Sequence, residues 1–191
     1  MTTPETSTRE RLLEAAIEYV SAHGVADVSL RQLAAEIGTS HRMLIYHFGS
    51  KEGLLVEVVR AVEARERELL ASLPSETPPG SAEAMRLMWK HISDPAVWPN
   101  ERLFFEIYGQ ALQGRHPEVS MLDEVVDAWL DPIAAMRRAQ GVPARLARAQ
   151  ARLDLAVTRG LLLDLLATGD RAGVDKAMTR YIAVCEAAFE Q

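Results

Sequence analysis

SLRQLAAEIGTSHRMLIYHFGSKEGLL, residues 29–55, is the stretch on which the reading turns. Ser29 opens one short helix, with Gln32 at the capping-box position, and Ser40 opens a second. Leu30, Leu33, Ala34 and Ile37 fall at helical spacing in the first, and Gly38 ends it. Two short helices joined by a Gly-containing turn of about three to four residues outline a helix-turn-helix. Ala34 is small where the helices must approach, and Leu33, Ile37 and Leu44 can fill the core between them. The second helix carries His41, Arg42 and Met43 in its first turn. In DNA-reading versions of the motif those positions reach base edges in the major groove.

The local charge agrees. Between Ser29 and Lys51 stand Arg31, Arg42 and Lys51 against Glu36, with His41 and His47 beside them. This basic stretch sits in a chain of 191 residues whose net charge is −6. A blanket nucleic-acid coat is therefore excluded, and a small basic reading surface is not. A plain helical hairpin with solvated charges fits the same spacing, so the pattern alone leaves both readings open.

Outward from this stretch the chain reads as all-α. Eighteen of its 21 basic residues are Arg, Ala is frequent, apolar residues make up 48%, and no apolar/polar alternation marks a strand. Ser7 with Glu10 opens an earlier helix carrying Leu12, Leu13, Ala16, Ile17 and Val20, which stops at Gly24. Ser50 opens a longer one with Leu54, Leu55, Val58, Val59 and Val62, running towards residue 70. Residues 72–81, SLPSETPPGS, read as a connection between two parts. Helices are then expected at 82–93, 100–113, 118–140, 143–168 and 171–189, with turns at 94–100 and 114–117. Pro132 either kinks its helix or starts a new one capped by Asp131.

Several classes are disfavoured. No apolar run approaches the roughly 20 residues of a membrane span, and no basic cluster followed by an apolar stretch marks a secretory leader. The single cysteine, Cys185, forms no internal disulfide, so a cytoplasmic protein is expected. The five histidines form no HExxH pair, and GxSxG, P-loop and GxGxxG patterns are absent, which argues against an enzyme and against a bound metal. A helical protein-binding adaptor and a helical-bundle enzyme remain as alternatives.

The first 55 residues resemble the DNA-binding domain of the tetracycline-repressor (TetR) family of bacterial regulators. The resemblance is carried by Leu12–Ala16, Gly24, Ser29, Leu33–Ala34, Gly38, Ser40, Leu44, Tyr46-His47-Phe48 and Ser50-Lys51-Glu52 followed by Leu54-Leu55. It implies an N-terminal three-helix DNA-binding domain, residues 1–55, joined by a long helix to a helical effector-binding and dimerisation domain, residues 56–191. It also implies a homodimeric repressor that leaves its operator when a small-molecule effector binds. By the same resemblance Arg31 reads or grips DNA, His41, Arg42 and Met43 read bases, and Thr39, Ser40, Tyr46, His47 and Lys51 hold the backbone. Ser29, at a helix start, has a hydroxyl that can cap the helix and touch phosphate. Ile45 departs from the family pattern, in which a tyrosine stands at that place.

Trp89, Trp98, Phe104, Phe105, Tyr108 and Trp129 gather six of the eleven aromatics into one region. The resemblance implies an effector pocket there, although each could equally be ordinary core. Leu153, Ala156, Gly160, Leu163 and Ala167 recur at alternating spacings of three and four, as do Val174, Met178, Tyr181, Cys185 and Ala188. Such seams pack helices, either internally or across a dimer.

Overall fold

The computed structural model describes residues 7–24, 28–72, 81–114 and 120–189, the side chains of 120–124 and 188–189 excepted. The connection at 73–80, the turn residues 115–119 and the side chain of Ala188 lie outside the described residues. Among those described, the secondary structure is helical: α1 (Thr8–His23), α2 (Leu30–Glu36), α3 (His41–Phe48), α4 (Lys51–Ala71), α5 (Ala82–Ile92), α6 (Trp98–Leu112), α7 (Ser120–Ala139), α8 (Ala144–Thr168) and α9 (Arg171–Phe189). The expected all-α fold is what forms.

Serine caps set most of the starts. The Ser7 hydroxyl accepts from Glu10 N at 3.2 Å, and the Glu10 carboxylate accepts from Ser7 N at 2.7 Å. Ser29 and Gln32 repeat this reciprocal arrangement on α2. Ser40, Ser50 and Ser81 each accept one backbone N–H of the helix they precede. Each such bond satisfies one donor that the first turn would otherwise leave unpaired. α6 begins two residues before the expected 100, because Pro99 is tolerated in a first turn where no N–H is needed. Pro132 lies inside a continuous α7. The carbonyl it cannot serve belongs to Ala128, an exposed residue.

The described residues fall into two compact units, one drawn from 1–64 and 99–121, the other from 65–98 and 122–191. In the first, α1 to α3 enclose Ala16, Ile17, Val20, Leu33 and Leu44, while Leu54, Val56 and Val58 of α4 and Leu103 and Ile107 of α6 are equally buried. Ser21 Oγ of α1 donates to Asn100 Oδ1 of α6 at 2.9 Å. The second unit packs α9 against α5 and α8. Trp129, Leu130 and Ala134 of α7 join Val142 and Ala147, Ala151 and Leu155 of α8 in its core.

A buried polar knot also holds the second unit. Arg137 of α7 donates to Asp154 of α8 at 2.7 Å, both side chains being almost fully enclosed. Asp154 Oδ1 further accepts from Gln150 at 2.9 Å and from the Tyr181 hydroxyl of α9 at 2.6 Å. Removing one member would leave a buried charge uncompensated, which costs far more than the intact pair contributes.

Candidate nucleic-acid interface

Three glycines and two serines shape the turn–helix–turn around α3. α2 ends in a Schellman arrangement: Thr39 N donates to Ala34 O at 2.8 Å and Gly38 N to Ala35 O at 3.2 Å, with Gly38 at φ +70°. This left-handed residue redirects the chain into Ser40, which caps α3. At the far end Gly49 is again left-handed, and Ser50 N donates to Phe48 O at 2.9 Å. Gly53 then lies so close to α3 that a Cβ there would stand 2.3 Å from the Phe48 carbonyl oxygen. Only glycine permits that approach.

α3 is consequently held with one face in and one face out. Leu44 and Phe48, one turn apart, are buried. Burying each stabilises this end of the unit by roughly 1.5–3 kcal/mol. His41, Arg42, Ile45 and Tyr46 are exposed, and Tyr46 keeps 78% of its surface accessible. Met43 is only half-exposed, less open than His41 and Arg42 before it. Arg31 of α2 is exposed as well. Lys51 is the first residue of α4, so its ammonium and the open N–H groups of that helix face an anion together.

The expected backbone contacts separate on inspection. Ser40 uses its oxygen as an acceptor from Met43 N at 3.2 Å. Ser29 is more committed, since its hydroxyl also donates to Gln32 Oε1 at 2.8 Å. The His47 ring stands edge-on to Tyr46 with centroids 4.9 Å apart, and its Nε2 is buried without a hydrogen-bond partner. That nitrogen therefore points inward, not towards a phosphate. Ile45 is the side chain that the sequence reading did not include among the site residues. It was noted only as a departure from the family, yet it lies exposed between Arg42 and Tyr46 on the open face.

Residues 12–58 match the family model described as bacterial regulatory proteins, tetR family. Over these residues the chain is similar to the N-terminal domain of that family. A curated relative, the HTH-type transcriptional regulator BetI of Escherichia coli, is 29% identical over 75 residues, which cover 39% of this chain and 38% of that protein. The chain thus spans well under two thirds of the curated relative it matches. A TetR-family member from Streptomyces coelicolor superposes with a TM-score of 0.63 at 26% identity, covering 91% of this chain and 98% of that one. The TetR transcriptional regulator from Legionella pneumophila gives 0.69 at 19% identity over 96% and 99%, a likeness of fold.

The six candidate pocket aromatics divide between the two units. Phe104 of α6 is buried, stacks on Tyr108 at 5.6 Å and meets Phe105 edge-on at 5.1 Å, all in the first unit. A small pocket there is lined by Val59, Val62 and Glu63 of α4 and Asn100, Glu101, Leu103 and Phe104 of α6. The tryptophans belong to the second unit. Trp89 Nε1 donates to Asp175 at 2.7 Å, Trp98 Nε1 donates to Ser93 O at 3.1 Å, and Arg67 stands 5.7 Å over the Trp129 ring. Among the described residues no group of three or more His, Cys, Asp or Glu is arranged to hold a metal. No helix among them is long and apolar enough to cross a membrane.

The two candidate seams face opposite ways. On α8, Leu153, Ala156, Gly160, Leu163 and Ala167 are all exposed, with Leu153 at 50% and Leu163 at 49%. On α9, Val174, Met178 and Cys185 are buried within their own unit, and Tyr181 turns inward to Asp154. Burial and the neighbouring Asp154 push the Tyr181 hydroxyl well above its usual range; burial likewise pushes the Cys185 thiol up. The open apolar side of α9 is Ala177, Val184 and Ala187 instead.

Proposed function

We propose that the chain is a sequence-specific DNA-binding transcriptional regulator, a homodimeric repressor whose operator affinity falls when a small-molecule effector binds. The observation that carries the reading is the two-faced α3, with His41, Arg42, Ile45 and Tyr46 outward and Leu44 and Phe48 inward. An Arg in the first turn of such a helix has the fork geometry to grip guanine O6 and N7, whereas Ile45 and Met43 offer apolar contact to a thymine methyl. Arg31, Thr39, Ser40, Tyr46 and Lys51 surround that face and serve the phosphates.

The exposed α8 stripe supports the homodimer. Leu153, Gly160 and Leu163 make an apolar face that a second copy would cover, and two copies would set two α3 helices about 34–36 Å apart on DNA. The effector reading rests on the aromatic groups of α5, α6 and α7 and on α4, which runs unbroken from Lys51 at the DNA face into the second unit. Such a regulator works in the cytoplasm, where its operator DNA would be, and DNA binding calls for no catalytic step.

The test is selection of duplexes from a random library by the full chain. A palindromic site should emerge. Arg42→Ala should then lose about 1–3 kcal/mol of discrimination at one base pair per half-site. Lys51→Ala should weaken binding to all sequences and lower the salt slope by about one. Selection of no preferred sequence would overturn the reading.

A further inference from the structure

The reading of α3 as the base-contacting helix leaves open what fixes its attitude. Its buried face accounts for Leu44 and Phe48 but not for a cluster of charge at its C-terminal end. Arg9, in the first turn of α1, is the centre of that cluster. Its guanidinium lies 5.2 Å over the Phe48 ring. The same group makes an ion pair with Glu57 of α4 through Nη2 and Oε2. The other Glu57 oxygen accepts from Arg60 Nη1 at 2.9 Å. One side chain thus touches the last residue of α3 and a residue of α4 at once, from a third helix.

Resting on the DNA-binding reading, we propose that Arg9 is a positioning residue for sequence recognition: with Glu57 it clasps Phe48 and so sets the angle of α3 against the N-terminus of α4. A planar guanidinium suits this place, since its face covers a ring while its edge meets a carboxylate. Phe48 is the right residue to clasp. Its carbonyl already accepts from Ser50 N and abuts Gly53, so a tilt of its ring moves α3 relative to Lys51. Base reading needs His41 and Arg42 in register with phosphate contacts made by Tyr46 and from α4. A population of chains with α3 loosened would bind a specific site less well in proportion to the fraction misplaced.

Glu57→Gln gives a test by sign. The substitution removes a negative charge from the DNA-reading unit, which by electrostatics alone strengthens binding to any duplex. The clasp demands the reverse for the preferred duplex: about fivefold weaker binding, with blurred base preference, while random duplex binds as well as before or better. Arg9→Gln should give the same loss of preference, and Arg9→Gln with Glu57→Gln should lose less than the two single effects multiplied. Arg9→Lys should restore part of it. Melting curves of each variant keep the comparison below its transition, and if Arg9→Gln does not fold, Glu57→Gln and Arg9→Lys carry the test. Glu57→Gln binding the preferred duplex as tightly as the wild type overturns the clasp. So does an Arg9→Gln variant that loses affinity equally for preferred and random duplexes with a salt slope lower by about one, because Arg9 is then a phosphate ligand. A wild-type chain that selects no duplex overturns the DNA-binding reading itself, a different result from a wild type that selects one and variants that keep it.

Discussion

Phe48 meets three constraints within one residue: its ring is buried, its carbonyl accepts from Ser50 N, and that carbonyl excludes any side chain at Gly53. Gly53→Ala should therefore destabilise the protein by about 1–3 kcal/mol even though alanine is the better helix former, because backbone and not a movable side chain is in the way. A thermal or urea melt decides it. Glu57 carries a second prediction. Burial pushes its carboxyl up, but hydrogen bonds from Arg9 and Arg60 outweigh this and hold it below the usual carboxylate range. Its contribution is thus present above the unfolded value and lost as pH falls through the lowered folded value. Melting temperature should fall less steeply below about pH 4 in Glu57→Gln than in the wild type. At this scale the sequence was partly legible. His41 and Arg42 stood out by their places after a cap and Tyr46 through the resemblance alone, but the inward turn of His47 Nε2 depends on neighbours that spacing does not name. Ile45 was legible only as a departure from the family pattern, because spacing alone does not place its side chain on the open face.

Helix starts were the most legible elements, since a serine cap is a local device that acts through the first turn only. Facing was less so. The three-four spacing of Val174, Met178, Tyr181 and Cys185 marks a packing seam, yet it cannot say whether the covering helix belongs to the same chain. The outward side of α9 is made of Ala177, Val184 and Ala187, small residues that give a weak signal. α8 is the informative case. Nothing approaches within 4 Å of a Cβ built on Gly160, so Gly160→Leu is sterically free in a lone chain and over-packs only against a partner. Leu163→Glu should likewise leave the melting of a monomer nearly unchanged while splitting the homodimer. Sedimentation at micromolar concentration reads both variants. A wild type that sediments as a monomer would remove the dimer, and the two-half-site operator with it.

At the scale of the whole molecule, Trp89, Trp98 and Trp129 belong to the second unit, while α3, the proposed base-contacting helix, belongs to the first. An effector should therefore change tryptophan fluorescence and weaken operator binding, typically by about 5–150-fold, and operator DNA should weaken effector binding by the same factor. A compound that alters the fluorescence but leaves operator affinity untouched is a cavity filler, and a broad screen yielding only such compounds would favour a regulator without an inducer. The chain itself sets a limit on how these parts can be exchanged. It leaves or re-enters the first unit after Ala64, Trp98 and Met121, within α4, α6 and α7, and α6 contributes Leu103, Phe104 and Ile107 to the buried residues of that unit. A fragment cut at residue 64 would take α3 but leave behind the α6 residues that line a pocket with Val59 and Val62, and the partner of Ser21 with them. The unit that holds α3 is thus not contiguous in the chain. A chimera that fuses residues 1–64 to a foreign sensor should be insoluble or poorly folded unless the recipient supplies its own α6, so shuffling of sensors onto readers, in the laboratory or in genomes, must carry that helix along.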